Sequence, residues 1–140
     1  MPKEALRKAV LDVFRARLAG NIPKTLSYLH PDVEYVFNGE GTGFPRLAER
    51  LKGIEAVAAA LTDVMRAFRL ENWRSTSLIV EADTAVLTWN ADIVFIATGE
   101  SDFFEFVDVF RFRDGKIISM RLHTDSAKMV KLLSRRPGSH

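Results

Sequence analysis

The chain of 140 residues, 47% apolar and 27% charged, has the length of one domain and enough apolar side chains to bury a substantial core. Its 20 basic and 18 acidic residues give a formal charge of +2, too balanced to argue for a nucleic-acid partner even at a pI of 9.1. There is no cysteine, which excludes disulfides, thiol catalysis and thiolate metal sites.

Lys3, Glu4, Arg7 and Lys8 charge the N-terminus at once. No uninterrupted apolar stretch suits a signal peptide or a membrane span, so a cytoplasmic protein without a membrane partner is expected. Residues 4–19 carry Leu6, Val10, Val13, Phe14 and Leu18 at helical spacing, with Gly20 and Asn21 as a stop. Residues 25–29 predict a short helix ending at His30-Pro31, because proline disfavours helix in the residue before it. From Asp32 to Phe37, alternation of Val33, Tyr35 and Phe37 predicts a strand with one buried face. The segment 38–45 holds three glycines and a proline and is expected to be a loop. It lacks the residues of a phosphate-binding loop.

Gly53 leads into a predicted helix over 54–68, with Ile54, Val57, Leu61, Val64, Met65 and Phe68 as its apolar stripe. Four strands follow, near 70–80, 85–97, 102–113 and 116–124. Short polar turns join them into an antiparallel meander. Asp125 suits the N-cap of a last helix through Leu133, and 134–140 is expected to be a flexible tail. Helices first and strands later predict an α+β domain, with helices on one face of a curved sheet.

Two aspartates stand inside apolar strand runs. In the run from Phe103 to Phe112, Asp108 shares a face with Phe104, Phe106, Phe110 and Phe112. In the run from Ala85, Asp92 shares a face with Thr88 and Asn90, opposite Leu87, Trp89, Ala91, Ile93 and Phe95. A three-residue turn at Gly99, Glu100 and Ser101 would pair Thr98 with Asp102, and hence Asp92 with Asp108 and Asn90 with Phe110. Two carboxyls in an apolar enclosure repel each other and resist desolvation, which raises the pKa of at least one. Such a pair can donate to an oxygen and accept from carbon or water at one pH. The other reading leaves Asp92 at a solvated rim and ties Asp108 to an arginine or a backbone amide. His30 and His123 have no second ligand at helical or strand spacing, so no metal is expected. Trp73 and Trp89 are expected to serve packing or subunit contacts.

The order of elements, the phrases L-H-P-D-V-E-Y and L-K-G-I-E-A-V, and above all F-V-D-V-F-R-F-R-D-G-K-I-I-S-M-R-L resemble one family. It is the SnoaL-like, ketosteroid isomerase-like group, whose cone-shaped fold is shared with limonene epoxide hydrolase and nuclear transport factor 2. The resemblance covers about residues 4–133 as a single domain. It implies a cone of mostly antiparallel sheet with the N-terminal helices on its concave face. Asp108 matches the protonated oxyanion-hole aspartate of ketosteroid isomerase. Phe14 and Phe37 stand where that enzyme has its tyrosine and its base, which argues against steroid isomerisation by that mechanism. Asn90 and Asp92 align with the arginine and first aspartate of limonene epoxide hydrolase, whereas Leu122 replaces its second aspartate. Tyr35 and Asn38 fall near that enzyme's water-binding tyrosine and asparagine. The alignment also puts Met120, Leu122 and Thr124 inside the cone.

The resulting expectation is a pocket for a small, largely hydrophobic molecule, with cofactor-free isomerisation, cyclisation or hydration as its chemistry. Asp92 would be the base and Asp108 the acid or oxyanion donor, with Asn90 and Tyr35 as polar guides. Phe14, Phe37, Phe106, Phe110, Met120 and Leu122 would line the pocket. The rival expectation is a non-catalytic ligand carrier or interaction domain. Leu87, Trp89, Ala91, Ile93 and Phe95, extended by Val107 and Val109, would form a convex apolar patch, and family resemblance implies a homodimer built on it.

Overall fold

A computed structural model describes residues 1–38 and 50–135; most of the loop expected over 38–45 and of the tail expected over 134–140 lies outside them. Helix α1 (Lys3–Leu18) buries Leu6, Val10, Val13 and Phe14, the stripe expected from its spacing. Glu4 in its first turn and Arg15 and Arg17 in its last complement the helix dipole. Gly20, at φ +70°, turns the chain out of the helix.

Asn21 does more than end α1. Its side chain accepts from the Lys24 amide at 3.1 Å and caps α2 (Ile22–Ser27), so this helix begins and ends earlier than expected. Strand β1 (Leu29–Phe37) starts before Pro31, and its register against its neighbour is irregular between Leu29 and Glu34, where the proline sits. A short β2 (Arg50–Lys52), not foreseen, pairs antiparallel with β1. Helix α3 (Ile54–Ala67) follows Gly53 and buries Val57, Ala60 and Leu61.

Strands β3 (Phe68–Glu81), β4 (Thr84–Phe95), β5 (Ser101–Arg113) and β6 (Lys116–His123) form the expected meander, and α4 (Ser126–Ser134) ends the described chain. Asp125 caps α4 by accepting from the Lys128 amide at 3.0 Å. The six strands lie in the order β2-β1-β6-β5-β4-β3, with β1 parallel to β6 and the other pairs antiparallel. The α+β class is as expected from the sequence. One continuous core fills the space between the sheet's inner face and the helices.

The β4–β5 hairpin departs from the expected register. Val94 pairs with Ser101, and the connection is a six-residue loop, 95–100. In it the Gly99 amide donates to the Phe95 carbonyl at 2.8 Å and the Phe95 amide donates to the Glu100 carbonyl at 2.8 Å. Leu87 therefore stands opposite Asp108, and Asp92 stands opposite Phe103. A register change by an odd number of residues moves every side chain of a strand to the other face. Burial explains the outcome: Ala85, Leu87, Trp89, Ala91 and Ile93 enter the core, while Thr88, Asn90 and Asp92 keep contact with water. Enclosing those polar groups instead would have cost desolvation with few partners to offset it.

The convex apolar patch expected on β4 accordingly does not exist. Trp89, placed at its centre by the sequence reading, is 2% exposed and points inward. Val107 and Val109, on the face of β5 opposite Asp108, do lie on the outer side.

Candidate functional site

Strand β5 carries Phe104, Phe106, Asp108, Phe110 and Phe112 into the interior, as the period-two pattern requires. Asp108 is 3% exposed and is the one buried acidic side chain among the described residues. Its Oδ2 accepts from Trp89 Nε1 at 2.7 Å. Trp89 sits on β4 one alternation beyond Leu87, the residue paired with Asp108, so the two side chains meet diagonally on the inner face. The indole is itself fixed, stacked on Phe106 at 4.1 Å between ring centroids and edge-on to Phe14 at 5.3 Å.

Burial pushes the Asp108 carboxyl up to about 6, and the Arg17 guanidinium and the Trp89 hydrogen bond hold it from rising further. Burial likewise pushes the Tyr35 hydroxyl above its ordinary range, opposed by Arg17 and reinforced by the Asp108 charge. A carboxyl near 6 changes its charge close to neutral pH, which suits an acid–base group. Among the described residues no second acid is buried with it: the Asp92 side chain is on the outer face, where its Oδ2 accepts from Asn72 Nδ2 at 2.8 Å. Asn90 is on that outer face too, so two of the expected site residues are separated from the other eight by the sheet itself.

Those eight, Phe14, Tyr35, Phe37, Phe106, Asp108, Phe110, Met120 and Leu122, are all buried. Tyr35 pairs with Met120 and Phe37 with Leu122 across β1 and β6, and Asp108 pairs with Leu122 across β5 and β6. A small, partly open cavity of about 40 Å³ is lined by Tyr35, Phe37, Trp89, Phe106, Leu122 and Met129, together with Arg17, Val64, Phe68, Leu70 and Ile93. Asp108 does not line it and lies behind Trp89 and Leu122, and Phe14, Phe110 and Met120 lie outside its wall as well. The volume suits a few waters at most, since an engineered cavity that binds benzene measures about 150 Å³.

Arg17 is the group that sequence reasoning missed. It stands three residues after Phe14 on the buried stripe of α1, with its guanidinium 5.1 Å from the Phe14 ring centre. A charged residue at that spacing was the available signal. His123, expected to face out, is exposed and pairs with Val107. Asn38 is tied to Thr124 by two hydrogen bonds, its Nδ2 donating to the carbonyl at 2.8 Å and its Oδ1 accepting from the amide at 3.0 Å. No helix among the described residues is long and apolar enough to cross a membrane.

A mixed six-stranded sheet backed by helices around an apolar, acid-bearing interior defines an α+β cone. Residues 10–120 match the profile of the SnoaL-like domain, and the chain belongs to that family. No curated protein matches it in sequence. Among solved structures it is similar to an NTF2-like protein of unknown function from Burkholderia pseudomallei, at 23% identity and a TM-score of 0.81, with 94% of this chain and 98% of that one covered. TerC, co-crystallised with polyporic acid, is similar at 24% identity and a TM-score of 0.79 over 94% of this chain and 99% of its own. A protein of Jannaschia sp. CCS1, provisionally assigned as a SnoaL-like polyketide cyclase, gives 21% identity and a TM-score of 0.78 over 96% and 94%. At these identities the likeness is one of fold.

Proposed function

We propose that this protein binds a small, largely hydrophobic molecule inside the cone and uses Asp108 as the acid–base group of a cofactor-free isomerisation, cyclisation or hydration. The observation that carries the reading is a carboxyl with a pKa of about 6, buried among aromatic rings and held by Trp89 Nε1. As a carboxylate it would accept a proton from an activated C–H or from water, and as an acid it would return that proton to oxygen or carbon. With Asp92 outside, one carboxyl takes both roles in turn. Tyr35 and Trp89, which line the cavity, would orient the ligand's oxygen functions. The provisional cyclase assignment of the Jannaschia protein and the co-crystallisation of TerC with polyporic acid, a small organic acid, accord with this ligand class. In this reading the protein acts in the cytoplasm as a homodimer joined through the outer sheet face.

One observation favours a non-catalytic carrier as the second reading: Asp108 is not in the cavity wall, so a ligand reaches it only if the Trp89 indole turns. Deuterium exchange at the α-carbon of 2-tetralone separates the two. Acid–base catalysis would accelerate exchange with a pH profile breaking near 6, and Asp108→Asn would remove the acceleration. Binding without accelerated exchange would establish the carrier and overturn the catalytic reading.

A further inference from the structure

Arg17 also lines a second, open hollow of about 400 Å³ between the end of α1, the end of α3 and the start of β3. Arg17, Val64, Phe68 and Leu70 are common to the walls of this hollow and of the small cavity, so the two spaces adjoin along those four side chains. Val64, Phe68 and Leu70 are apolar and offer a ligand no hydrogen bond. Arg17 can do more: its Nε is buried and has no hydrogen-bond partner among the described residues. Leaving a buried N–H without an acceptor is costly, and the flat guanidinium presents paired donors in the geometry of a carboxylate or a delocalised enolate. Its positive charge, close enough to influence both Asp108 and Tyr35, has no acidic side chain within ion-pair distance among the described residues.

We infer that Arg17 is the anion-recognition residue of the pocket, and that the hollow between α1, α3 and β3 is the entrance for an aromatic or alicyclic organic anion. Displacement of the Arg17 side chain by the incoming oxyanion joins hollow and cavity, so a ring too large for 40 Å³ gains room as the orphan Nε–H gains its acceptor. The inference rests on the small-molecule reading above and adds the charge and the route of the ligand.

Benzoate and its neutral analogue benzamide are the probes, and tryptophan fluorescence is the readout. The chain has two tryptophans: Trp89 lines the cavity, and Trp73 is stacked on Phe14 at 5.4 Å. The expected result is that the wild type binds benzoate at least tenfold more tightly than benzamide, and that Arg17→Met binds the two alike. Arg17→Lys, which keeps the charge and loses the Nε–H, should retain only part of the preference and guards against misfolding of the methionine variant. Arg17→Met should also melt no lower than the wild type, whereas a residue held only for packing would lose stability on replacement. Equal binding of both probes by the wild type, or a preference that survives in Arg17→Met, overturns the Arg17 assignment and leaves the pocket reading standing. If neither probe binds the wild type at millimolar concentration, both readings are overturned.

Discussion

Trp89 Nε1 donates to Asp108 Oδ2 at 2.7 Å, and each side chain explains the other's burial. The indole N–H needs an acceptor inside an apolar core, and the carboxyl needs a donor there. The carboxyl nevertheless resists ionisation, with a folded pKa of about 6 against an ordinary value of about 3.9 in an unfolded chain. Between those values the native state binds more protons than the unfolded one. The stabilisation is therefore complete below about pH 4 and is lost as pH rises through 6. Two pH units correspond to about 3 kcal/mol.

Asp108→Asn should remove that slope. The amide oxygen can still accept from Trp89, and the side chain cannot ionise. At pH 7.5 the variant should be more stable than the wild type by about 1–3 kcal/mol, and at pH 4 the difference should vanish. Urea unfolding at both pH values measures it. Destabilisation at pH 7.5 would show that the Arg17 attraction outweighs desolvation.

Trp89→Phe keeps a ring on Phe106 and deletes the donor. The loss of a smaller ring is independent of pH, whereas the unsatisfied carboxylate costs about 1–3 kcal/mol more wherever Asp108 is ionised. The variant's deficit should therefore be larger at pH 7.5 than at pH 4, and the Asp108 titration, followed by carboxyl NMR, should move above that of the wild type. An unmoved titration would mean that the hydrogen bond contributes little to holding the charge.

The helical stripes of α1 and α3 and the alternation of β4 and β5 were legible because each buries one face over several repeats of its period. Asp108 was legible for the same reason, as the one acid in an alternating row of phenylalanines. Strand β2 was not, since three residues carry too little pattern. The β4–β5 register was misjudged because Gly99-Glu100-Ser101 has the composition of a short turn, whereas the chain closes an i to i+4 turn from Phe95 to Gly99. The apolar alternation of Leu87, Trp89, Ala91 and Ile93 held the answer, and weighing its burial against that of Thr88, Asn90 and Asp92 would have chosen the observed face. Arg17 was overlooked because one charge at the end of an amphipathic helix looks like a solvated end.

Asp92 follows from that correction. Its carboxylate, on the outer face, is held by Asn72, a residue at φ +54° where β3 bulges against β4. Asp92→Asn should change stability by no more than about 0.5 kcal/mol, as for other surface substitutions. It should also leave the pH slope set by Asp108 unaltered, because the two groups lie on opposite faces of the sheet. A slope that changed on this substitution would revive the carboxyl pair.

The homodimer, relocated from the face that β4 turns inward, is expected on the outer side of β4 and β5. There Phe103 is 44% and Val107 36% exposed, beside an open hollow of about 550 Å³ whose wall also includes Thr88, Asn90 and His123. A concave, partly apolar surface flanked by polar groups is suited to a self-complementary two-fold contact. Val107→Glu puts a charge at this surface without touching the core, since the side chain points to solvent. The wild type should sediment as a dimer at micromolar concentration, and Val107→Glu as a folded monomer with an unchanged circular dichroism spectrum. A monomeric wild type would refute the dimer, and a dimeric Val107→Glu would move the interface elsewhere.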